Sequence, residues 1–190
     1  MYPTYNLNSL RTKAQNNTSN PQYPTGAYFV GNTTFKDETL RGVVFVEGGS
    51  LLLTGAVIVD GGCIVHLASE NFEVKAELTL TPDMNPVTGA RNVAMIKAGG
   101  GLLKFWADRT STIEGFIFAT GDLEFNANGE VRGGLVSHGN IQMGGNCTVY
   151  FTPINSAEIA DEVRIPSGLV VASWREEDLP SVVSTNDLDG

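Results

Sequence analysis

The chain of 190 residues is 42% hydrophobic and carries a net charge of −9, from 12 basic and 21 acidic side chains. This length and apolar content suffice for one domain with a hydrophobic core, and 22 glycines with only 17% charged residues favour a turn-rich β architecture over helices. The acidic balance argues against nucleic acid as a partner, because phosphate binding needs clustered Lys and Arg.

Two cysteines, Cys63 and Cys147, are too few for a disulfide framework. Each follows a Gly-Gly pair at the expected start of a strand, so we expect buried free thiols, with a single bridge between them as the alternative. No apolar run reaches membrane-spanning length and the amino end is polar. The sequence therefore predicts neither a transmembrane helix nor a signal peptide within the chain.

Residues 1–41 are predicted to form a helix and a capping segment. Apolar residues recur at i, i+3 and i+7 over residues 7–14, which is typical of a short amphipathic helix with Asn6 or Asn8 as its cap. Brief strands are expected between residues 28 and 35. Because an uncovered solenoid end would expose strand edges and core, we interpret this segment as a lid on the first turn.

The segment from Gly115 to Phe151 contains nearly the same pattern twice. Gly115 is followed by an apolar run, a polar glycine corner and an alternating strand, and Gly134 is followed by the same pattern. The two copies therefore predict a sequence offset of 134 − 115 = 19. Period-two alternation broken by glycines predicts short strands joined by tight turns. A repeat of this length is typical of a solenoid.

Similar segments begin at unevenly spaced residues, namely 42, 55, 92, 115 and 134. A regular hexapeptide helix would keep strict register. We therefore predict an all-β fold, namely an irregular, single-stranded and right-handed β-helix over residues 42–176 that is followed by a tail at 177–190. A sandwich of similar strands is the alternative fold. Five turns would form a block roughly 20 Å tall. The loops at 81–91 and 152–166 are expected to carry contacts.

Catalytic and metal-binding patterns are weak. Glu114, Asp122 and Glu124 lie close in sequence, and glycoside hydrolysis needs two carboxylates at a fixed separation. However, Glu124 occupies a polar position of an alternating strand, where a solvated charge is the ordinary explanation. Its segment also has the oxygen spacing that opens a calcium loop, but Leu135 stands where the bidentate glutamate is required. We expect no catalytic residue, metal or cofactor.

The two histidines are expected at the surface or at strand corners, without a ligand. His66 and Cys63 lack two further metal ligands in a recognisable spacing. His138 has no partnered nucleophile motif.

Aromatic residues provide the candidate binding surface. Five phenylalanines at alternating positions are expected in the core: Phe45, Phe105, Phe116, Phe118 and Phe125. Trp106 adjoins Phe105, so it should point outward. Trp106 and Tyr150 are the candidate binding residues, and they form a common platform only if their rings lie on the same face.

Glycine-and-apolar motifs occur at 42–48, 115–122, 134–141 and 145–150, and three shorter segments, at 5–7, 26–29 and 173–176, accompany them. Together they resemble the carboxy-terminal domain of PilX-type type IV pilus assembly proteins over residues 4–176. The resemblance implies an exported bacterial domain that is normally preceded by a hydrophobic pilin-like helix. Only this helix would contact the membrane. The architecture is also similar to that of the tapirins, which bind cellulose outside the cell.

The resemblance implies a minor pilus component or adhesive module at the cell surface, without enzymatic activity. The expected partners are pilus subunits or a surface polymer such as a glycan. Two alternatives remain. A bactofilin-like structural polymer would stack end to end, and a polysaccharide-active enzyme would need a cleft lined by several acidic or basic residues. The basic residues of the repeats lie at unrelated offsets: Arg91, Lys97, Lys104, Arg109 and Arg132.

Overall fold

The structure is a computed structural model, and it describes residues 4–84, 93–151 and 163–164. Its elements in chain order are β1 (Thr4–Tyr5), α1 (Leu7–Gln15), β2 (Tyr28–Val30), β3 (Thr33–Lys36), β4 (Thr39–Glu47), β5 (Leu51–Leu67), β6 (Phe72–Thr81), β7 (Val93–Ala98), β8 (Leu103–Phe105), β9 (Thr110–Ala119), β10 (Leu123–Phe125), β11 (Asn128–Ser137), β12 (Ile141–Met143), β13 (Cys147–Phe151) and β14 (Val163–Arg164).

Strands β2 to β13 form one parallel sheet that winds into a β-solenoid of about six turns. Face 1 consists of β2, β7 and the C-terminal parts of β4, β5, β9 and β11. Face 2 consists of β3, β8, β10, β12 and the N-terminal parts of β5 and β6. Face 3 consists of β13, the N-terminal parts of β4, β9 and β11, the middle of β5 and the C-terminal part of β6. The predicted β-helix is confirmed, and its right-handed coil stays a prediction.

The interior is built from residues that occupy equivalent positions in successive turns. On face 2 one inward column contains a residue from each turn: Phe35, Leu53, Val74, Phe105, Phe125 and Met143. The rings of Phe105 and Phe125 stack with centroids 4.4 Å apart, close to the distance of about 4.8 Å between neighbouring strands. Each turn therefore buries its apolar side chains against the turns on either side of it.

The solenoid begins earlier than predicted. β2 pairs with β4, and β3 pairs with β5, in parallel register. Residues 28–41 consequently form the first turn instead of belonging to a capping segment that ends at residue 41. The structure has six turns instead of five, which makes the stack roughly 25 Å tall. Beyond residue 151, only residues 163–164 of the β-helix predicted to extend to residue 176 lie within the described part of the chain, and the tail predicted at 177–190 lies outside it.

The repeat in β9 to β11 is shorter than predicted. Gly115 pairs with Gly133 and not with Gly134, so the offset is 133 − 115 = 18 and the predicted 19 is wrong. A Cβ atom on Gly133 would lie 1.9 Å from the carbonyl oxygen of Gly115, so only glycine fits this corner between faces 3 and 1. Gly55 lies within β5 between faces 2 and 3, and it does not begin a turn. The predicted spacing was uneven because glycines occur at more than one corner of a turn, so not every glycine marks the start of a new turn.

The predicted helix is confirmed as α1, and Asn6 is its cap. The Asn6 side chain accepts a hydrogen bond from the Ser9 backbone nitrogen at 3.1 Å. Leu10 and Ala14 pack in a second apolar cluster on the outer side of face 1. The middle turns of face 1 are thus buried on both sides, which accounts for their continuous apolar runs. No helix in the described residues is long and apolar enough to cross a membrane.

Tyr23 covers the interior at the N-terminal end of the solenoid. Its ring lies edge-on to Phe29 and Phe35, with centroid distances of 4.8 and 6.2 Å. The Tyr23 hydroxyl donates to Glu38 Oε2 at 2.6 Å. The lid predicted for this end therefore includes the loop around Tyr23, while α1 packs along the side.

Candidate binding surface

The outer side of face 2 carries a column of alternating charges. Glu73, Lys104 and Glu124 are paired in successive turns. The Lys104 Nζ and Glu124 Oε2 atoms are 2.7 Å apart. The parallel register of β6, β8 and β10 holds these charged groups at the spacing of the strands.

Trp106 lies beside this column, directly after β8. Its backbone nitrogen donates to the Val74 carbonyl oxygen at 3.1 Å, which continues the pairing of β8 with β6. The predicted outward orientation is confirmed, since 38% of the residue is exposed while Phe105 is fully buried. The ladder of face 2 therefore fixes the backbone from which the indole projects.

The indole is held by three side chains. Trp106 Nε1 donates to Glu73 Oε2 at 3.2 Å. The Lys75 and Lys104 ammonium groups lie 4.5 and 4.9 Å from the ring centroid. Each such cation–π contact at an exposed site contributes about 0.5–1 kcal/mol. We call this group of residues, with Glu124, the Trp106 platform.

Glu73 connects the indole to the lysines. Lys75 Nζ lies 2.7 Å from Glu73 Oε2. The pKa of Glu73 is lowered, first by the hydrogen bond from Lys75 and further by that from Trp106 and the charge of Lys104. Glu73 is therefore ionised at neutral pH and accepts hydrogen bonds from both Lys75 and the indole. An aromatic surface flanked by fixed donors and acceptors suits a ligand that has both apolar and hydroxyl groups, such as a sugar ring.

Tyr150 lies apart from this platform. It belongs to β13 on face 3 in the last turn, it is 51% exposed, and its ring centroid lies 5.0 Å from Arg132 Cζ. Arg132 Nε is 2.9 Å from Glu130 Oε1. Because Trp106 follows a strand of face 2, the structure does not bring the two candidate aromatics together.

The three carboxylates considered for catalysis occupy different places. Asp122 lies at a corner, where its Oδ1 accepts from the Asn140 backbone nitrogen at 2.8 Å. Glu124 is on face 2, and Glu114 on face 3 is paired in register with Arg132. Among the described residues, no group of three or more His, Cys, Asp or Glu is placed to hold a metal ion.

The prediction for the histidines is right for His138, which is exposed at a corner, and wrong for His66. His66 is fully buried, and its Nε2 lies 2.8 Å from the Gly49 carbonyl oxygen. Burial lowers the pKa of His66 to about 4. His66 occupies an inward-facing position in the alternation of β5, so its side chain is buried although it is polar.

Lys97 lies next to His66 in the interior, on β7. Its Nζ donates to the carbonyl oxygens of Ala68, at 2.5 Å, and of Gly100. Burial lowers the pKa of Lys97 to about 8. Lys97 therefore satisfies buried carbonyl groups at a corner and lines no external cleft.

No disulfide joins Cys63 and Cys147. Cys63 is buried, as predicted, whereas Cys147 is only partly buried because it lies in the last turn. Burial raises the pKa of the Cys147 thiol.

Sequence reasoning identified Trp106 but not its partners Glu73 and Lys75. These two residues alternate along β6, which is a signal for a shared outward face. They lie far from Lys104 in the sequence, because the segment between β6 and β7 lengthens the turn that joins them. Comparison of the chain with models of protein families, with curated proteins and with solved structures gave no match.

Proposed function

We propose that this chain is a non-enzymatic, extracellular module of the type IV pilus system that holds a surface polysaccharide at the Trp106 platform. The observation that carries the proposal is a partly exposed indole that contacts two ammonium groups and a carboxylate. A sugar ring can pack against the indole while its hydroxyl groups bond to Glu73, Lys75 or Lys104.

Rigidity supports a binding role. The platform residues lie on β6, β8 and β10 or directly beside them, and these strands are paired in one continuous register. Side chains fixed before the ligand arrives lose little conformational entropy on binding. A flat lateral face also suits an extended polymer better than a small molecule, which needs an enclosing cavity.

The pilus assignment is supported by the resemblance of the glycine-and-apolar motifs to the carboxy-terminal domain of PilX-type proteins. In that setting the solenoid is a minor pilus component or an adhesive domain outside the cell. A pilus subunit is the alternative partner for the same face. Localisation of the native protein to sheared pili by immunoblotting tests this part of the proposal, and recovery only in the cytosolic fraction contradicts it.

The binding test uses the purified chain and insoluble polysaccharides of different chemistry, namely cellulose, chitin and peptidoglycan. We expect depletion of the protein from solution by at least one of them. Trp106→Ala should weaken that binding by about 10-fold or more, since an aromatic anchor contributes more than about 1 kcal/mol. Tyr150→Ala is the matched control and should bind normally, because Tyr150 lies on face 3.

Turnover is tested separately by release of reducing ends from the polysaccharide that binds. The proposal expects none above the background. Release that depends on Glu114, Asp122 or Glu124 would favour the polysaccharide-active alternative.

A structural polymer is the second candidate, favoured by apolar side chains exposed at the C-terminal end of the stack. Such a polymer needs two open ends, and Tyr23 covers the interior at the N-terminal end. Filaments of the purified chain in negative-stain electron microscopy would favour this candidate over the binding module.

A further inference from the structure

Face 2 carries a second outward column beside the charged one. The backbone nitrogen of Trp106 donates to the Val74 carbonyl oxygen, and that of Asn126 donates to the Phe105 carbonyl oxygen, at 3.1 Å each. The register of the strands therefore places Trp106 level with Lys75 of the preceding turn and level with Asn126 of the next turn. A ligand that rests on the indole and continues toward the C-terminal end of the stack meets the amide of Asn126.

The amide of Asn126 is accessible to such a ligand. Asn126 is partly exposed, and its side chain makes no hydrogen bond to another described residue. Gly144 follows in the same column one turn later, because its backbone nitrogen donates to the Phe125 carbonyl oxygen at 2.9 Å. A Cβ atom on Gly144 would lie 2.6 Å from Asn126 Oδ1, so a larger residue there would crowd the amide. The amide offers both a donor and an acceptor to a ligand.

The charges around the indole cancel in pairs. Lys75 Nζ lies 2.7 Å from Glu73 Oε2, and Lys104 Nζ lies 2.7 Å from Glu124 Oε2. An acidic polymer would find both ammonium groups already paired, and the net charge of −9 on the chain would repel it. A basic polymer would meet two ammonium groups within 4.9 Å of the ring centroid. These charges favour an uncharged polymer.

Face 2 is longer along the stack than along its strands. β8, β10 and β12 have three residues each, and the chain turns at a corner that contains Asp108 soon after Trp106. Along the stack, the six turns extend over roughly 25 Å. An extended polymer that runs along the stack therefore stays on the face, whereas one that follows the strands leaves it at the corner.

We propose that the Trp106 platform selects an uncharged polysaccharide whose chain runs along the stack, with Asn126 as a further binding residue. One sugar ring packs on the indole, and the hydroxyl groups of the adjoining ring exchange hydrogen bonds with the Asn126 amide. This inference rests on the proposed function, because it requires a glycan at Trp106.

Affinity electrophoresis of the purified full chain tests the preference for uncharged polymers. The gels contain an uncharged polysaccharide (hydroxyethyl cellulose, galactomannan or dextran), the acidic polygalacturonate or the basic glycol chitosan, and the signal is the retardation that Trp106→Ala abolishes. We expect this signal with at least one uncharged polymer, and we expect it to be equal at low and high salt, because salt screens only charges. A larger Trp106-dependent retardation by polygalacturonate or glycol chitosan overturns the inference.

Asn126→Ala tests the orientation of the polymer. This variant should weaken binding of the retained polymer by about 5-fold, the effect of one lost hydrogen bond. Asp108→Ala is the matched control, because Asp108 is exposed at the corner that a polymer following the strands would cross, and it should bind like the wild type. Circular dichroism should show an unchanged fold for both variants. A loss in Asp108→Ala as large as that in Asn126→Ala overturns the proposed orientation.

The variants separate the two proposals. Normal binding by Asn126→Ala together with lost binding by Trp106→Ala contradicts only the role of Asn126. Binding that Trp106→Ala leaves unchanged, or no binding to any polysaccharide, contradicts the proposed function as well.

Discussion

The two ends of the solenoid are built from equivalent positions but have different surroundings. In the first turn Phe35 is almost completely buried, and Tyr23 packs over it. In the last turn Met143, at the other end of the same inward column, is about half exposed. An inward side chain in a solenoid is buried by its own turn and by both neighbouring turns. The number of neighbours, more than the residue type, therefore decides how much a position contributes to stability.

The largest expected effect comes from removing matched side chains at the two ends of this column. Phe35→Ala should lower the free energy of unfolding by about 3–5 kcal/mol, because it leaves a cavity between Tyr23 and the second turn. Met143→Ala should cost less than about 1 kcal/mol, since Met143 is already about half exposed. Urea denaturation measures both values. Equal losses would contradict the asymmetry.

Removing the lid should make the N-terminal end resemble the C-terminal end. Tyr23→Ala removes two aromatic contacts and the hydrogen bond to Glu38, and we expect a loss of about 3 kcal/mol. Tyr150→Ala is the control for an exposed tyrosine in the last turn, with an expected change within about 0.5 kcal/mol. A thermal melt in which Tyr150→Ala is the more destabilised variant would show that the lid has been assigned to the wrong end.

The interior between the two ends should respond to pH through His66. The pKa of His66 is about 4 in the folded chain, whereas an unperturbed histidine, as in the unfolded chain, has a pKa of 6.5. Between these values the unfolded chain binds more protons, so stability is complete above pH 6.5 and falls as the pH decreases toward 4. The loss attributable to His66 is at most about 3 kcal/mol.

His66→Gln keeps a donor for the Gly49 carbonyl and does not titrate in this range. Its unfolding free energy should therefore fall less than that of the wild type between about pH 7 and about pH 4.5. His138→Gln is the control for an exposed imidazole. If His66→Gln and the wild type lose the same stability over this range, the acid sensitivity comes from other groups.

The smallest expected effect concerns the corner side chains Asp122 and Asn140. Asp122→Ala removes the acceptor of the Asn140 backbone nitrogen and should cost about 1 kcal/mol. Asn140→Ala removes only a 3.4 Å contact to Asp122, and we expect a change within about 0.5 kcal/mol. Chemical denaturation of both variants compares a corner that supports a further turn with one at the end of the stack. A larger loss for Asn140→Ala would contradict this order.

Local patterns predicted much of the fold. The Asn6 cap, the parallel solenoid and the outward Trp106 each follow from spacing within a short stretch of sequence. The register did not, because moving the partner of Gly115 from Gly134 to Gly133 changes which atoms stack without changing the pattern of glycines and apolar residues. The strands between residues 28 and 35 were predicted, but their place as the first turn was not, because local patterns do not specify that they pair with β4 and β5.

The sequence also could not separate the interior of the solenoid from the apolar cluster on the outer side of face 1. Phe105 and Phe125 lie in the interior, whereas Phe45 and Phe118 are buried on the outer side in the cluster with α1. All four are apolar and buried, so composition treats them alike. The partners of Trp106 were missed because the number of residues in each turn decides which side chains of successive turns are neighbours. Local alternation does not specify that number.

Hydrogen–deuterium exchange of the full chain tests the asymmetry of the two ends most directly. We expect strong protection of residues 33–36 and 51–54 and weak protection of residues 141–151. Protection of residues 141–151 that equals that of β3 would contradict the asymmetry.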